Sequence, residues 1–207
     1  MKIYREIQQG TEEWHTKKLG VISGTVLDSI LGTPKAREST LYEIVGERLT
    51  PKIDMEYLHE NAMNRGVRLE PEAISAFEYV TGKKVERVGF CEHDDHPAIC
   101  YSPDGLVLDT DYSEDVEIKC PEAKNYIKIV LTNEVPKEYK AQIIQGFVVN
   151  KNLKIRWFVA YNPDIPSYPI HIIPVYRETL AEEIANAYMS EIAFLNDVEE
   201  KLKAINK

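Results

Sequence analysis

The sequence predicts a mixed α/β fold, a central mixed β-sheet flanked by helices, with a long helix at the C-terminus. Three observations carry this expectation. Residues 115–120 alternate polar and apolar side chains, the period-2 pattern of a strand with one buried face. Residues 154–163 and 170–176 are two further apolar strand-like runs. The stretches between and around the strands carry apolar residues at helical spacing, and the last of these, from 178 to about 205, is acidic and amphipathic. Helices, a meander of strands, two helices, two strands and a helix, in that order, make a sheet with helices packed on it.

In chain order, Thr11 is placed as the N-cap of a short helix with Glu12 and Glu13 in its first turn, ending near Gly20. Residues 21–25 lead into a second short helix, 26–31, again with a hydroxyl placed to cap. A helix start with two lysines just before it can hold an anion, although capped helices and solvated lysines account for the same residues. Residues 32–39 read as a polar loop carrying Lys35 and Arg37, and Ser39 begins a helix to about Leu49. From Met55 the chain is helical with a break near Gly66, and Leu69, Ala73, Phe77 and Val80 form one apolar stripe. Pro71 cannot donate to the carbonyl of Val67, so a kink or a fresh start is expected there.

Residues 83–95 alternate and read as one strand, followed by a turn at His96-Pro97 and a short strand, 98–101. The run His93-Asp94-Asp95-His96 lies at a hairpin tip, where adjacent residues point in different directions, so it is read as a turn rather than a metal box. A helix follows Pro121-Glu122 to about Leu131, and another runs from Pro136 to about Asn150 with one broad apolar side flanked by Gln142 and Gln145. Pro174 marks the strand at 170–176 as an edge strand. On the final helix Ile184, Tyr188, Ile192, Leu195 and Leu202 form the inner side.

The 207 residues suffice for one domain with a full core, so the chain is read as a single domain, 1–207. No apolar run approaches a membrane span, and the start has no apolar signal core, so a cytoplasmic protein without a membrane partner is expected. Cys91, Cys100 and Cys120 lie in apolar company with no C-x-x-C spacing, which points to buried free thiols rather than a disulfide framework or zinc site. The net charge of −9 argues against a nucleic-acid partner only if charge is spread evenly. It is not: residues 119–156 hold eight basic residues against three acidic ones, so a local basic surface is expected beside an acidic pocket.

That pocket is read from residues 101–120. Ser102-Pro103-Asp104-Gly105 is turn chemistry that presents Asp104 at a bend. On the alternating strand, Val116, Ile118 and Cys120 point to the core while Glu117 and Lys119 emerge side by side on the other face. Paired as a hairpin, the two segments bring Asp104 to that carboxylate and that ammonium. Two carboxylates and a lysine at a sheet edge suit a hard divalent cation with an activated water. Each piece alone is common, since Pro-Asp-Gly turns and Glu-x-Lys strand faces are ordinary structure. In this order, with the carboxylates thirteen positions apart, Pro103, Asp104, Glu117 and Lys119 match the PD-(D/E)xK nuclease signature.

With Glu70 and a glutamine on a following helix also in view, the chain resembles the lambda-exonuclease-like (YqaJ) phage alkaline exonucleases, a branch of the PD-(D/E)xK superfamily. The resemblance covers most of the chain, through GTEEWHTKKLGVISGTVLDSIL, RGVRLEPEAISAFEYVTG, CYSPDGL, EIKCP, EYKAQIIQGFVV and WFVAYNP. It implies a restriction-endonuclease-like core and a metal-dependent 5′-to-3′ exonuclease that digests one strand of linear double-stranded DNA, leaving 3′ single-stranded tails for recombination. It further implies Mg²⁺ or Mn²⁺, two ions per site, held by Asp104, Glu117, the backbone carbonyl of Ile118 and Glu70. Lys119 would orient or deprotonate the attacking water, and Gln142 would hold that water or the scissile phosphate. A terminal-phosphate pocket maps to Lys18, Thr25 and Ser102; lysine at 18 stands where lambda exonuclease has arginine, which removes the bidentate fork. Met63 matches a strand-parting wedge, and Arg37 lies in the loop expected near the DNA entrance. A ring-shaped homotrimer and a single-strand-annealing recombinase partner complete what the resemblance implies.

Two other readings stay open on the sequence. One is an endonuclease of the same superfamily, restriction or junction-resolving. The other is a non-catalytic DNA-binding module of the same fold, against which the complete set Glu70, Asp104, Glu117 and Lys119 speaks. An iron–sulfur nuclease is disfavoured, because a cluster takes four cysteines and the chain has three.

Overall fold

The structure, a computed structural model, describes residues 1–50 and 65–205. Its strands are β1 (Lys2–Tyr4), β2 (Val85–Glu86), β3 (Phe90–Glu92), β4 (Cys100–Tyr101), β5 (Gly105–Val107), β6 (Glu114–Lys119), β7 (Ile155–Tyr161) and β8 (Ile170–Tyr176). Its α-helices are α1 (Glu12–Lys18), α2 (Gly24–Leu31), α3 (Pro34–Leu49), α4 (Arg65–Thr81), α5 (Ala123–Thr132), α6 (Lys140–Val149) and α7 (Ala181–Ile205). The main sheet has the order β2-β5-β6-β7-β8, and β1, β3 and β4 form a smaller antiparallel sheet. In the main sheet β6 and β7 are parallel and the other neighbours antiparallel, so the sheet is mixed. A parallel pair cannot be joined by a tight turn. Here α5 and α6 make the crossover.

Helices cover the main sheet on both faces. On one, Leu69, Ala73, Ile74 and Phe77 of α4 pack on Val107, Val116, Ile118, Val159 and Tyr161. On the other, Ile143, Ile144, Phe147 and Val148 of α6 pack with Leu106 and Phe158 of the sheet, Leu27 and Ile30 of α2, and Ile184, Ala187 and Phe194 of α7. From Ile143 to Val149 every residue of α6 is buried. A helix apolar all round is an interior helix, and truncating Phe147 to alanine would cost about 3–5 kcal/mol by transfer and cavity formation.

The mixed sheet, the flanking helices and the long terminal helix agree with the expected fold class, and several elements differ in detail. Residues 32–39 are not a loop. Thr33 caps α3 by accepting from Ala36 N–H at 3.2 Å, with Pro34 in the first turn, so Arg37 stands on a helix. The expected strand at 83–95 is two strands in different sheets, β2 and β3. Gly89 lies at the break, where a side chain would run into the carbonyl of Ile7. α4 runs unbroken through Pro71, held against the sheet by its apolar stripe, and that stripe contains Ile74 while Val80 is exposed. The buried line of α7 is Ile184, Ala187, Glu191, Phe194 and Val198, with Tyr188, Ile192, Leu195 and Leu202 packed beside it. β8 is the edge strand that Pro174 announces. The three cysteines are free, Cys91 and Cys100 buried. Among the described residues no helix is long and apolar enough to cross a membrane.

Glu191 is fully buried on the inner line of α7. Burial pushes its pKa up to about 8, with Gln145 alone opposing. A folded-state pKa above the unfolded one means the folded state keeps a proton that the unfolded chain releases, so stability falls as pH rises from about 4.5 to about 8. Glu191→Gln removes that loss. Its melting temperature relative to the parent is expected to climb between pH 5 and pH 8 and then level off, corresponding to at most about 1.4 kcal/mol per pH unit; a gap that does not change with pH would contradict it.

Candidate active site

The site begins at the open end of the β5–β6 hairpin. The register pairs Gly105 with Val116 and Leu106 with Asp115, so Asp104 stands on the bend just past the last pair. There the N–H of Ile118 donates to Asp104 Oδ2 at 2.5 Å, the side chain taking a ladder bond that β5 no longer supplies. Gly105 serves a close approach rather than the turn dihedral expected of it. Its φ is not positive, and a Cβ there would strike the side chain of Val85 on β2.

Glu117 and Lys119 share a face of β6, as the alternation requires, and Lys119 Nζ meets Glu117 Oε1 at 2.6 Å. That face is not open to solvent: Asp115 is 0% and Glu117 5% exposed. β6 is central and covered on both sides, so its alternation separates an apolar layer from a buried polar one. Within the polar layer Arg156 of β7 donates through Nη2 to Glu117 Oε2 at 2.6 Å, and its Nε lies 3.6 Å from Asp115 Oδ1. Glu70, on α4, accepts from Arg87 and is close enough to Asp104 to act on its charge.

The electrostatics follow from this crowding. Burial first, then the charges of Glu117 and Glu70, hold Asp104 well above the usual carboxylate range. Burial would raise Glu117 as well, but Lys119 and Arg156 outweigh it and keep Glu117 ionised. Burial would lower Lys119, yet Glu117 and Asp104 outweigh it, so these groups hold it as the ammonium. One ionised carboxylate, one with a raised affinity for protons and a third nearby form an all-oxygen donor set of the kind that hard divalent cations take. Among the described residues no group of three acidic, histidine or cysteine side chains is gathered at ligating geometry, and Oε1 of Glu70 accepts from Arg87. The donor chemistry of Asp104 and Glu117 fits the cation.

Of the remaining sequence-derived residues, Lys18 and Ser102 meet at Trp14, and Thr25 and Gln142 form a second group at the start of α2. Trp14 Nε1 donates to Ser102 Oγ at 2.9 Å, and the ammonium of Lys18 lies 4.1 Å from the Trp14 ring centre. Lys18 has no ion pair among the described residues, and burial lowers its pKa. Thr25 lies in the first turn of α2, its hydroxyl 3.1 Å from that of Ser23, and the Ser23 side chain does not cap the helix. Gln142 faces the same helix start: a Cβ on Gly24 would stand 2.9 Å from Gln142 Cα. Arg37 is elsewhere, paired with Asp197 of α7 at 2.5 Å over the Phe194 ring. Met63 lies outside the described residues.

The expected basic surface also contracts. Lys140 pairs with Glu183, Lys151 with Asp95, and Arg156 is buried. Lys154, Lys124, Lys128 and Lys137 remain exposed. The last two line a cleft of about 370 Å³ between α5 and the turn before α6 that reaches Tyr139. The Tyr139 ring in turn lies 5.3 Å from Lys119 Nζ. Arg156, Asp115, Arg87 and Trp14 were not singled out from the sequence; the only signal for Arg156 was a charge inside an apolar strand.

Residues 13–150 match the model of the YqaJ-like viral recombinase domain. The chain belongs to this family. A solved structure of an alkaline exonuclease (LHK-Exo) from Laribacter hongkongensis is 27% identical with a TM-score of 0.80, covering 95% of this chain and 96% of that one. The structure of LHK-Exo in complex with dAMP superposes with a TM-score of 0.79 at 27% identity, covering 94% of this chain and 96% of that one. No curated protein sequence matches significantly. This YqaJ-family chain therefore has the alkaline-exonuclease fold along nearly its whole length.

The tight approach of α2 to α6 gives a direct check on the second group. Gly24→Ala places a methyl against backbone that cannot swing away, so a loss of about 1–3 kcal/mol in denaturant unfolding is expected. Unchanged stability would mean that the start of α2 and Gln142 are not in contact.

Proposed function

We propose that the protein is a metal-dependent 5′-to-3′ exonuclease that digests one strand of linear double-stranded DNA and leaves 3′ single-stranded tails for recombination. The observation that carries this reading is the meeting of Asp104, Glu117 and Lys119 at the hairpin end, in a chain with the alkaline-exonuclease fold. Mg²⁺ or Mn²⁺, two ions per site, held by Asp104, Glu117, the Ile118 carbonyl and Glu70, would neutralise charge that builds on the phosphoryl and leaving oxygens. Gln142 orients the attacking water or the scissile phosphate. Lys119 hydrogen-bonds that water and takes its proton once the charge around the carboxylates is balanced, since Glu117 and Asp104 otherwise hold it as the ammonium.

Lys18, Ser102, Thr25 and the uncapped N–H groups of α2 receive the 5′-terminal phosphate. Lysine binds it as a point charge, so preference for a phosphorylated end is weak. Lys128 and Lys137 flank a path for the strand beside the active site. Arg37 meets DNA only by leaving Asp197, and Met63 keeps its proposed role as a wedge. The reading extends to a single exonuclease domain, 1–207, acting in the cytoplasm as a ring-shaped homotrimer beside a single-strand-annealing recombinase. A ring that lines its lumen with the basic residues reconciles duplex binding with a net charge of −9.

The test uses 5′- and 3′-labelled linear duplexes, with and without a terminal phosphate, in Mg²⁺ or Mn²⁺ and then with chelator. Mononucleotide release from the 5′ label, sparing of covalently closed circles and arrest by chelator are expected; cutting of closed circles would assign an endonuclease instead. Lys119→Ala is expected to lower turnover about 10²–10⁴-fold, and near-normal cleavage would remove the lysine from the chemistry. Light scattering is expected to report three chains per particle, and a monomer at working concentration would refute the ring.

A further inference from the structure

The buried polar layer of the sheet contains a group that the proposed reaction does not use. Arg156 is the second residue of β7, an otherwise apolar strand, and is 1% exposed. The parallel register pairs it with Asp115, which puts both side chains on the face that carries Glu117. Its Nη2 donates to Glu117 Oε2 at 2.6 Å, its Nε lies 3.6 Å from Asp115 Oδ1, and its guanidinium carbon lies 5.2 Å from the Tyr101 ring centre. Room for the guanidinium is made on the facing helix: a Cβ on Gly146 of α6 would overlap Arg156 Nη1.

Such an arrangement is costly. Nε and Nη1 of Arg156 lack hydrogen-bond partners, so the guanidinium forgoes much of what it could gain from its own polar atoms. Buried ion clusters of this kind are generally no more stable than well-packed apolar side chains of similar volume. Stability therefore does not explain a guanidinium here. Its single short hydrogen bond goes to Glu117, and that bond accounts for its place.

Resting on the reading of Glu117 as a metal ligand, we propose that Arg156 is a positioning residue, which grips Oε2 of Glu117 and so presents Oε1 toward Lys119 and the divalent cation. Glu117 is then held at both ends, Oε2 by Arg156 and Oε1 beside Lys119. The rotation about its last bond that would expose the other oxygen is blocked. Asp115 balances the charge of Arg156, and Gly146 leaves it space. The three residues act as one device, with Glu117 as its output.

The experiment measures Mn²⁺ binding to the full chain without DNA, by calorimetry and by the electron paramagnetic resonance of free Mn²⁺. The variants are Arg156→Lys, which keeps the charge but loses the fork, and the double variant Asp115→Leu with Arg156→Met. The double variant removes one charge of each sign and leaves the formal charge unchanged, so altered affinity reports the orientation of Glu117 rather than a change in long-range field. Loss of an outer-sphere partner weakens metal binding about 10–100-fold. That weakening is expected in both variants, with a lower kcat and an unchanged KM for DNA. Parental Mn²⁺ affinity in both variants would overturn the positioning role while leaving the nuclease reading intact. A parent chain that binds no Mn²⁺ would overturn both.

Discussion

The register of β5 against β6 is the constraint on which the site depends. A slip of one residue would turn every side chain of β6 to the opposite face. Val116 and Ile118 would then meet Arg156, while Asp115 and Glu117 would be driven into the cluster of Leu69, Ala73 and Phe77. Neither outcome is affordable, since each buries ionised groups without partners. The hydrogen bond from Ile118 N–H to Asp104 ends the hairpin at the one position where a carboxylate beyond the last strand pair lies beside Glu117. Strand pairing and active-site geometry are thus a single specification.

The two faces of the sheet divide the work. The α4 side is an apolar seal, and near the chemistry it contributes the charge of Glu70 and that residue's tie to Arg87. The α6 side is where the polar layer lies, and it needs the rigid cover that an interior helix provides. Arg37 and Arg48 of α3 pair with Asp197 and Glu199 of α7, joining the outer helices that hold α6 in place. Exposed pairs of this type contribute at most about 1 kcal/mol each. The packing of Leu27, Ile30, Ile184 and Phe194 around α6 carries more of the burden.

Features governed by near neighbours were legible in the sequence. Thr11 caps α1, β6 alternates, Pro174 lies on an edge, and Asp104 is presented at a bend. The start of α3 was equally local but was masked by loop-like composition, because Thr33-Pro34 is a helix opening as readily as a turn. What escaped was long-range. Gly89 reads as part of a continuous strand and Gly105 as a turn residue until the carbonyl of Ile7 and the side chain of Val85 are seen against them. Arg156 and Glu117 are 39 positions apart, and nothing in either neighbourhood names the other. Glu191 was passed over on the inner line of α7 because apolar periodicity, by construction, skips a buried acid.

One helix ties these scattered parts together. Gln142, Gln145 and Gly146 fall at i, i+3 and i+4 on α6 and so share a face. Gln142 abuts the start of α2 at Gly24, where the terminal phosphate is proposed to rest. Gln145 donates to the carbonyl of Cys100 at 3.0 Å and, more distantly, to that of Ile22, joining the strand that leads to Asp104 with the segment that leads to α2. Gly146 makes room for the guanidinium that grips Glu117. The start of α2, the bend at Asp104 and the grip on Glu117 are therefore referred to one rigid element, buried from Ile143 to Val149 and unable to shift without opening the core. Precise chemistry needs that kind of support. It also accounts for two residues that weaken the packing of the helix, Gln145 and Gly146, standing on its most buried stretch.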